Sequence, residues 1–195
     1  AFAKECLASD GTVVIEEKLI GEEFSLLCIT DGKTVLACPP CQDHKRAYDG
    51  DKGPNTGGMG SYSDADHLLP FLTAADVSAG LAITQKMAAA ISTETGEYYK
   101  GVMYGGFMAT RDGVRLVEYN ARFGDPEAEN VLPIMTSDFI QMCQHVVDGT
   151  LDQYQLTFAH QATVCKYVVP EGYPDQPLKN EPIDVSAVTD NVKLY

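Results

Sequence analysis

The 195-residue sequence predicts an α+β fold in which an antiparallel sheet packs against helices. Two pairs of β-rich segments each enclose a turn signal, as expected for hairpins, and two other segments carry apolar residues at helical spacing. Apolar residues make up 45% of the chain and charged residues 22%, which is the composition of a globular protein. The length suits one large domain, or one domain with part of a second.

The first third of the chain contains the first predicted hairpin. Residues 2–9 resemble the end of a helix whose beginning is absent, so we expect the chain to be an internal segment of a longer protein. Residues 12–17 are rich in β-branched side chains and predict a strand. Residues 23–29 and 34–38 flank the turn signal Thr30-Asp31-Gly32-Lys33, and together they predict a β-hairpin.

The middle third is predicted to be a long loop followed by a helix. Residues 39–63 contain clusters of Pro and Gly and show little periodicity, which indicates a loop with a function. Residues 73–91 predict a helix, because Thr73 and Asp76 have the spacing of a capping box. The residues of this helix at the spacing of one face are Val77, Leu81, Thr84, Met87 and Ala88.

A second hairpin and a second helix follow. Residues 101–110 and 114–120 flank a turn that contains Asp and Gly, and they predict the hairpin. Residues 137–148 predict a helix that Ser137 caps and Gly149 ends. We expect the buried face of this helix to comprise Phe139, Ile140, Cys143, Val146 and Val147.

The composition of the chain changes near residue 160. Residues 163–169 predict a new strand that runs into a segment rich in Pro and Gly, and residues 188–195 are also strand-like. We therefore expect an incomplete first domain over residues 1–160 and the beginning of a β-rich second domain over residues 161–195.

Charge and apolar pattern exclude several classes of partner. The net charge of −14 and the pI near 4.5 argue against nucleic acid and anionic membranes, because an acidic surface repels phosphate polymers. No apolar run approaches the roughly 20 residues of a membrane span, and no signal peptide is recognisable. We therefore expect a soluble, cytoplasmic protein.

The six cysteines are expected to be reduced thiols. Cys28, Cys143 and Cys165 lie within apolar patterns, where a thiol packs as a small hydrophobic group. Cys38 and Cys41 have the C-x-x-C spacing of zinc and redox sites. However, a zinc site needs a second pair, which the sequence lacks, and the two prolines between them do not suit the start of a redox-active helix.

The segment 114–120 carries the first candidate site. Side chains alternate along a strand, so Leu116, Glu118 and Asn120 are predicted to share one face. A carboxylate beside an amide oxygen suits Mg²⁺, which takes one or two protein ligands and leaves phosphates and water to complete its shell. The alternative is a strand end that emerges into solvent, where both residues are ordinary.

Two neighbouring segments carry possible anion sites. Residues 122–127, with the sequence RFGDPE, place a guanidinium beside the candidate metal ligands, although an ion-paired turn would look the same. Residues 53–60 contain four glycines, whose N–H groups can cradle a phosphate, although most such segments are plain turns. Lys45 and Arg46 precede this segment in an otherwise acidic chain, which favours anion binding.

Residues 13–23 run from an apolar segment through a polar connection into the next predicted strand. Such a connection can hold the edge of a nucleotide base beside an apolar wall, or it can simply be exposed. The sequence has neither a dinucleotide-binding nor a P-loop motif, and no nucleophile is paired with a base at a convincing spacing. Covalent catalysis by a side chain is therefore not indicated.

Three motifs in this order make the sequence resemble a known family. QDHKR at 42–46, GPNTGGMG at 53–60 and NARFGDPE at 120–127 are similar to those of the glycinamide ribonucleotide synthetase (phosphoribosylamine–glycine ligase) family, which belongs to the ATP-grasp superfamily. The similarity covers most of the chain. It implies an ATP-grasp domain that is incomplete at its N-terminal side and that is followed by the start of a β-rich domain.

The resemblance also implies which residues bind the nucleotide and its metal ion. Glu16, Glu17 and Leu19 would hold the adenine of ATP, and Glu23 would bind its ribose. The metal ligands of the family correspond to Glu118 and Asn120, which would hold Mg²⁺ or Mn²⁺.

The remaining matched residues would face glycine and 5-phosphoribosylamine. Arg122 and Lys45 match positions with catalytic roles in the family. The positions that match substrate-binding residues are Asp43, Arg46, Gly57, Gly58 and Asp125.

The implied reaction joins glycine to 5-phosphoribosylamine through a glycyl phosphate and releases ADP and phosphate. Phosphoryl transfer needs positioning, a metal ion and cationic groups rather than a protein nucleophile, which agrees with the motifs.

The sequence departs from the family in two respects. Residues 104–107, with the sequence YGGF, lack the further acidic ligand of many ATP-grasp enzymes, and the upstream lysines and glycine-rich lid are also missing. We therefore expect this segment alone to be inactive. The alternatives are another ATP-grasp ligase or carboxylase, and a non-enzymatic cation-binding module.

Overall fold

The computed structural model describes residues 2–189 and 192–195 of the chain. The helices and strands, numbered in chain order, are α1 (Phe2–Asp10), β1 (Gly21–Thr30), β2 (Val35–Ala37), β3 (Gln42–Asp43), β4 (Arg46–Tyr48), β5 (Lys52–Asn55), β6 (Gly60–Ser63), α2 (Ala74–Thr95), β7 (Gly101–Thr110), β8 (Gly113–Asn120), α3 (Glu127–Val131), α4 (Phe139–Asp148) and β9 (Thr163–Lys166).

A four-stranded antiparallel sheet with the order β2-β1-β7-β8 forms the centre of the fold. Both predicted hairpins are confirmed, and β1 pairs with β7 along its whole length, from Gly21 opposite Thr110 to Thr30 opposite Gly101. The first turn is fixed by Asp31, whose Oδ1 accepts hydrogen bonds from the N–H groups of the two residues that close the turn.

Strand β1 of the central sheet is buried on both faces from Phe24 to Thr30. Phe24, Leu26 and Cys28 of β1 pack toward α2, together with partly buried apolar residues of that helix. The intervening residues Leu27 and Ile29 pack toward α3 and α4 on the opposite face. Strand β1 therefore lies in the middle of a helix–sheet–helix arrangement, as its uninterrupted apolar sequence permits.

The buried cysteines are free thiols. Burial raises the pKa of Cys28 to about 12, and burial also raises the pKa values of Cys38 and Cys41 well above the usual range. The three groups stay protonated at neutral pH and pack as small apolar side chains, as the sequence predicts.

Helix α2 confirms the predicted capping box. The hydroxyl of Thr73 accepts a hydrogen bond from the N–H of Asp76, and the Asp76 carboxylate accepts one from the N–H of Thr73. The helix continues one turn further than predicted and ends before Gly96, which adopts the left-handed conformation. Gly80 lets the helix approach the sheet, because an added Cβ would lie 3.3 Å from the side chain of Leu26.

Two predictions for the first 63 residues are wrong. Residues 12–17 form no strand, and the side chains of Val14 and Ile15 are each 83% exposed, because no strand of the described residues pairs with this segment. Residues 39–63 are not one loop, because they contain the four short strands β3 to β6. Strand β6 also pairs with β9, which lies about 100 residues later in the chain. A local sequence pattern does not predict such a distant pairing.

Helix α4 differs from the prediction in its cap and in its buried face. Asp138 caps it by accepting a hydrogen bond from the N–H of Gln141, whereas the Ser137 hydroxyl accepts one from Thr157 instead. The buried residues are Met142 and Val146. The remaining predicted core residues behave differently: Cys143 is partly buried, while Phe139, Ile140 and Val147 are exposed.

The C-terminal region contains a shorter strand than predicted. Strand β9 ends at Lys166 and pairs with β6, which itself pairs with β3, so that a second antiparallel sheet forms with the order β3-β6-β9. Residues 188–189 and 192–195 are not in a strand, and the rest of the predicted strand 188–195 lies outside the described residues. The domain boundary near residue 160 stays a prediction. Within the described part of the chain, no helix has the length and apolar character needed to span a membrane.

The capping box predicts the effect of one substitution on stability. Thr73→Ala removes the cap and is expected to lower the free energy of unfolding by about 1 kcal/mol in urea titrations. Ser78→Ala, an exposed change within the same helix, is the control and should change stability by less than about 0.5 kcal/mol. Equal effects of the two substitutions would contradict the role of Thr73.

Candidate functional site

A β-bulge in β8 sets the direction of the candidate metal ligands. Glu118 pairs with Gly106, and Leu116 pairs with the next residue, Phe107, so Val117 is the extra residue. Leu116 and Tyr119 consequently both pack toward α2. The prediction that Leu116 shares a face with Glu118 is therefore wrong, because the alternation is interrupted between them.

Glu118 and Asn120 lie together on the sheet face opposite α2. The Asn120 Nδ2 atom donates a hydrogen bond to Glu118 Oε1 at 3.3 Å, so the two side chains reach the same point. Their oxygen-bearing groups fit a hard divalent cation that completes its shell with phosphate and water. The described residues contain no group of three or more His, Cys, Asp or Glu side chains arranged for a metal ion, so the candidate site rests on these two ligands.

Lys45 lies beside this pair and is held by two carboxylates. Its Nζ is 2.6 Å from Oε1 of Glu23 and 3.6 Å from Oδ2 of Asp43. Burial works to lower the pKa of Lys45, but the hydrogen bond to Glu23 and the charges of Asp43, Glu23 and Glu118 outweigh burial and raise that pKa. Lys45 therefore remains a fixed positive charge next to the candidate metal ligands.

A fully buried carboxylate anchors the segment that follows β8. Glu127 is only 1% exposed, and its Oε1 accepts hydrogen bonds from Ser25 Oγ and from Tyr104 OH, both at 2.7 Å. Burial and the charge of Glu127 raise the pKa of Tyr104 well above its usual range, so the phenol keeps its proton. The guanidinium of Arg122 forms a cation–π contact with the ring of Tyr104, with its Cζ atom 5.8 Å from the ring centroid.

Sequence reasoning did not identify Ser25 or Tyr104. Glu127 was noted only as part of a motif, and its two partners lie on strands that are 102 and 23 residues away along the chain. The available signal was the isolated serine within the apolar run of β1, because a polar residue on a doubly buried strand needs a hydrogen-bond partner.

The two glycine-containing motifs pack against each other. A Cβ added to Gly58 would lie 2.9 Å from Cδ of Pro126, so only glycine fits at this contact. The neighbouring Asp125 carboxylate accepts a hydrogen bond from the hydroxyl of Tyr167, which directly follows β9 and which sequence reasoning also missed. The structure thus places Gly58 beside Asp125, whereas an added Cβ at Gly57 would meet open space.

The N–H groups of this glycine-rich segment are largely engaged within the protein. Thr56 donates to the carbonyl of Lys45, Gly58 to the hydroxyl of Thr56, and Met59 to the carbonyl of His44. These three N–H groups are therefore not available to a bound phosphate, and the segment is not an open anion nest of the kind that its four glycines predict.

The residues proposed to bind adenine do not contact the group formed by Glu118, Asn120 and Lys45. Glu16 and Glu17 are exposed, Leu19 is partly buried, and their segment forms neither helix nor strand. Arg46 is exposed as well, and its guanidinium donates a hydrogen bond to the carbonyl of Gly53 within the β4–β5 hairpin.

A cavity of about 1250 Å³ opens next to the carboxylates and Lys45. Its walls come from β1, from the second sheet and from the β4–β5 hairpin, and they include Glu23, Asp43, Lys45, Arg46 and Lys166. The cavity therefore has the size of a small-molecule binding site and combines charges of both signs.

Comparison with known proteins gives the family. Residues 2–128 match the model of the ATP-grasp (A) domain of phosphoribosylglycinamide synthetase. The chain belongs to this family. Its central antiparallel sheet with packed helices is accordingly an ATP-grasp α+β fold, as the resemblance implies.

Two similar proteins have the same name. The chain is 54% identical over 184 residues to the phosphoribosylamine–glycine ligase of Methanocella arvoryzae, covering 94% of this chain and 42% of the relative. It is 52% identical over 189 residues to the ligase of the same name from Methanosarcina acetivorans, covering 97% of this chain and 43% of the relative. The chain thus spans less than half the length of these relatives.

A solved structure has the same fold. The crystal structure of phosphoribosylamine–glycine ligase from Thermotoga maritima superposes with a TM-score of 0.72 and 30% sequence identity. The match covers 84% of this chain and 40% of the crystallised one.

The buried carboxylate predicts a further effect on stability. Tyr104→Phe leaves Glu127 with one donor fewer and is expected to lower the free energy of unfolding by about 1–3 kcal/mol in urea titrations. Tyr48→Phe is the matched control, because Tyr48 is 58% exposed, and it should cost less than about 0.5 kcal/mol. An unchanged stability of Tyr104→Phe would contradict the proposed anchoring.

Proposed function

We propose that this chain provides part of the active site for the ATP-dependent ligation of glycine to 5-phosphoribosylamine, which gives glycinamide ribonucleotide, ADP and phosphate in purine biosynthesis. The observation that carries the proposal is the convergence of Glu118, Asn120 and Lys45 on one face of an ATP-grasp sheet. Family membership and the name shared by the relatives support the choice of substrates.

Glu118 and Asn120 would hold Mg²⁺ or Mn²⁺, because they offer oxygen ligands only. When bound, the cation neutralises charge on the phosphates of ATP. Lys45 and Arg122 would add fixed positive charge near the transferred phosphoryl group. The buried Glu127–Tyr104 contact restricts Arg122 and so reduces the entropy lost on binding.

The reaction would proceed in two steps on this face. The carboxylate of glycine attacks the γ-phosphorus of ATP to form glycyl phosphate, and the amine of phosphoribosylamine then displaces phosphate from the acyl carbon. The residues proposed to face these substrates are Asp43, Arg46, Gly57, Gly58 and Asp125. Asp43 and Arg46 line the cavity, and Gly58 packs against the segment that contains Asp125.

Nucleotide binding would use the segment before β1. Backbone groups near Glu16, Glu17 and Leu19 would hold adenine, and Glu23 would bind the ribose. Because Glu23 is now bonded to Lys45, ribose binding would release Lys45 toward the phosphates. The partners are then small molecules only, in agreement with the acidic charge and the expected cytoplasmic location.

The proposal is tested by measuring ADP release with Mg²⁺ and ATP. Since the chain spans less than half of its relatives, the assay uses a protein of their full length that carries this sequence. Glycine and phosphoribosylamine are added singly and then together. Release that requires both supports the ligase, whereas release that is indifferent to glycine would show that another acid is the substrate.

The metal pair predicts the effect of one substitution in that protein. Glu118→Ala removes a ligand of the cation and should lower kcat by more than about 100-fold, since the cation contributes several kcal/mol to the transition state. Glu94→Ala, an exposed change at the end of α2, is the control and should leave turnover within twofold. Activity of Glu118→Ala equal to that of the control would refute the metal assignment.

A further inference from the structure

Asp43 differs from the other carboxylates around the cavity. Its side chain is only 5% exposed although it lines the cavity wall. The nearest cation, Nζ of Lys45, is 3.6 Å away, which is beyond a normal hydrogen bond. Apart from its own backbone N–H, no group within residues 2–189 and 192–195 donates a close hydrogen bond to this carboxylate, so one of its oxygens can accept a proton from a ligand.

The neighbouring carboxylates are already engaged. Glu23 accepts the short hydrogen bond from Lys45 and is 38% exposed. Glu127 is bonded to two hydroxyl groups and is almost fully buried. Glu118 is paired with Asn120 in the candidate metal site. Asp43 is therefore the acid of this cluster whose carboxylate is both buried and without a strong donor.

The proposed second step needs a proton acceptor. When the neutral amine attacks the acyl carbon, the new C–N bond forms and the C–O bond to phosphate breaks, with its electron pair leaving on phosphate. The nitrogen, which is briefly positive, must lose one proton to give the neutral amide. A carboxylate at the wall of the cavity can take this proton and later release it to water.

We propose that Asp43 is the general base that accepts the proton of the attacking phosphoribosylamine nitrogen. This role rests on the proposed function and assigns a chemical task to a residue otherwise expected only to contact substrate. The Nζ atom of Lys45, 3.6 Å away, forms no close hydrogen bond with the carboxylate.

The electrostatic surroundings agree with this role. Burial raises the pKa of Asp43 above its usual value, the charges of Glu127 and Glu23 raise it further, and Lys45 opposes the rise. A raised pKa makes the carboxylate a better proton acceptor near neutral pH. The titratable groups that face it from the surrounding elements are Glu23, Lys45, Cys41, Tyr104 and Glu127.

Hydroxylamine separates the two steps of the reaction. It is a strong nucleophile that traps acyl phosphates without the help of an enzymatic base, so formation of glycine hydroxamate reports the first step alone. Asp43→Asn removes the base but keeps the size of the side chain. Asp152→Asn, the same chemical change at an exposed position outside the cavity wall, is the matched control.

In the full-length protein, Asp43→Asn should lower kcat for phosphoribosylamine by about 10²–10⁴-fold and keep hydroxamate formation within about threefold of the unsubstituted protein. The Asp152→Asn control should keep both activities. Ligation by Asp43→Asn within threefold of the unsubstituted rate would overturn the proposal, and so would a parallel loss of both activities. If the unsubstituted protein forms neither hydroxamate nor ligated product, the proposed function itself fails.

A second variant tests the role without changing Asp43. Glu127→Gln removes a negative charge next to Asp43 while keeping an oxygen that can accept from Ser25 and Tyr104. Loss of this charge lowers the pKa of Asp43, so the acidic limb of the pH profile for ligation should move to lower pH. The pH profile for hydroxamate formation should stay in place. A ligation profile that does not move, or that moves together with the hydroxamate profile, would contradict the role of Asp43.

Discussion

The hydrogen bonds from Ser25 and Tyr104 to the buried carboxylate of Glu127 are the contact on which the arrangement of the site depends. An uncompensated carboxylate in the interior costs several kcal/mol, so its two hydroxyl donors are required for the fold to tolerate it. The same contact joins β1, β7 and α3. The buried carboxylate also holds the hydroxyl of Tyr104, whose ring lies 5.8 Å from the Arg122 guanidinium.

The charged groups of the site come from both sheets and differ in their surroundings. Glu118 and Asn120 are open to a cation, Lys45 remains positively charged between carboxylates, and Asp43 is withdrawn from solvent. In a chain with a net charge of −14, phosphate can be held only where such local positive charge is concentrated. The site thus combines groups that attract phosphate with a group that can accept a proton.

Local chemistry explains which features the sequence predicted. The turn at Asp31 and the cap at Thr73 depend on residues within a few positions of each other, and both were found as predicted. The interruption of β8 at Val117 was not foreseen, because a bulge depends on the partner strand. The contact between Ser25 and Glu127 and the pairing of β6 with β9 join residues about 100 positions apart, so only the tertiary fold reveals them.

The most direct test of the glycyl phosphate mechanism is an isotope-labelling experiment. The full-length protein is supplied with ATP, phosphoribosylamine and glycine labelled with ¹⁸O in its carboxylate, and the inorganic phosphate is analysed by mass spectrometry. If the glycine carboxylate attacks ATP, one labelled oxygen is transferred to phosphate in each turnover. Phosphate without label, formed together with the amide product, would contradict a glycyl phosphate and the mechanism built on this site.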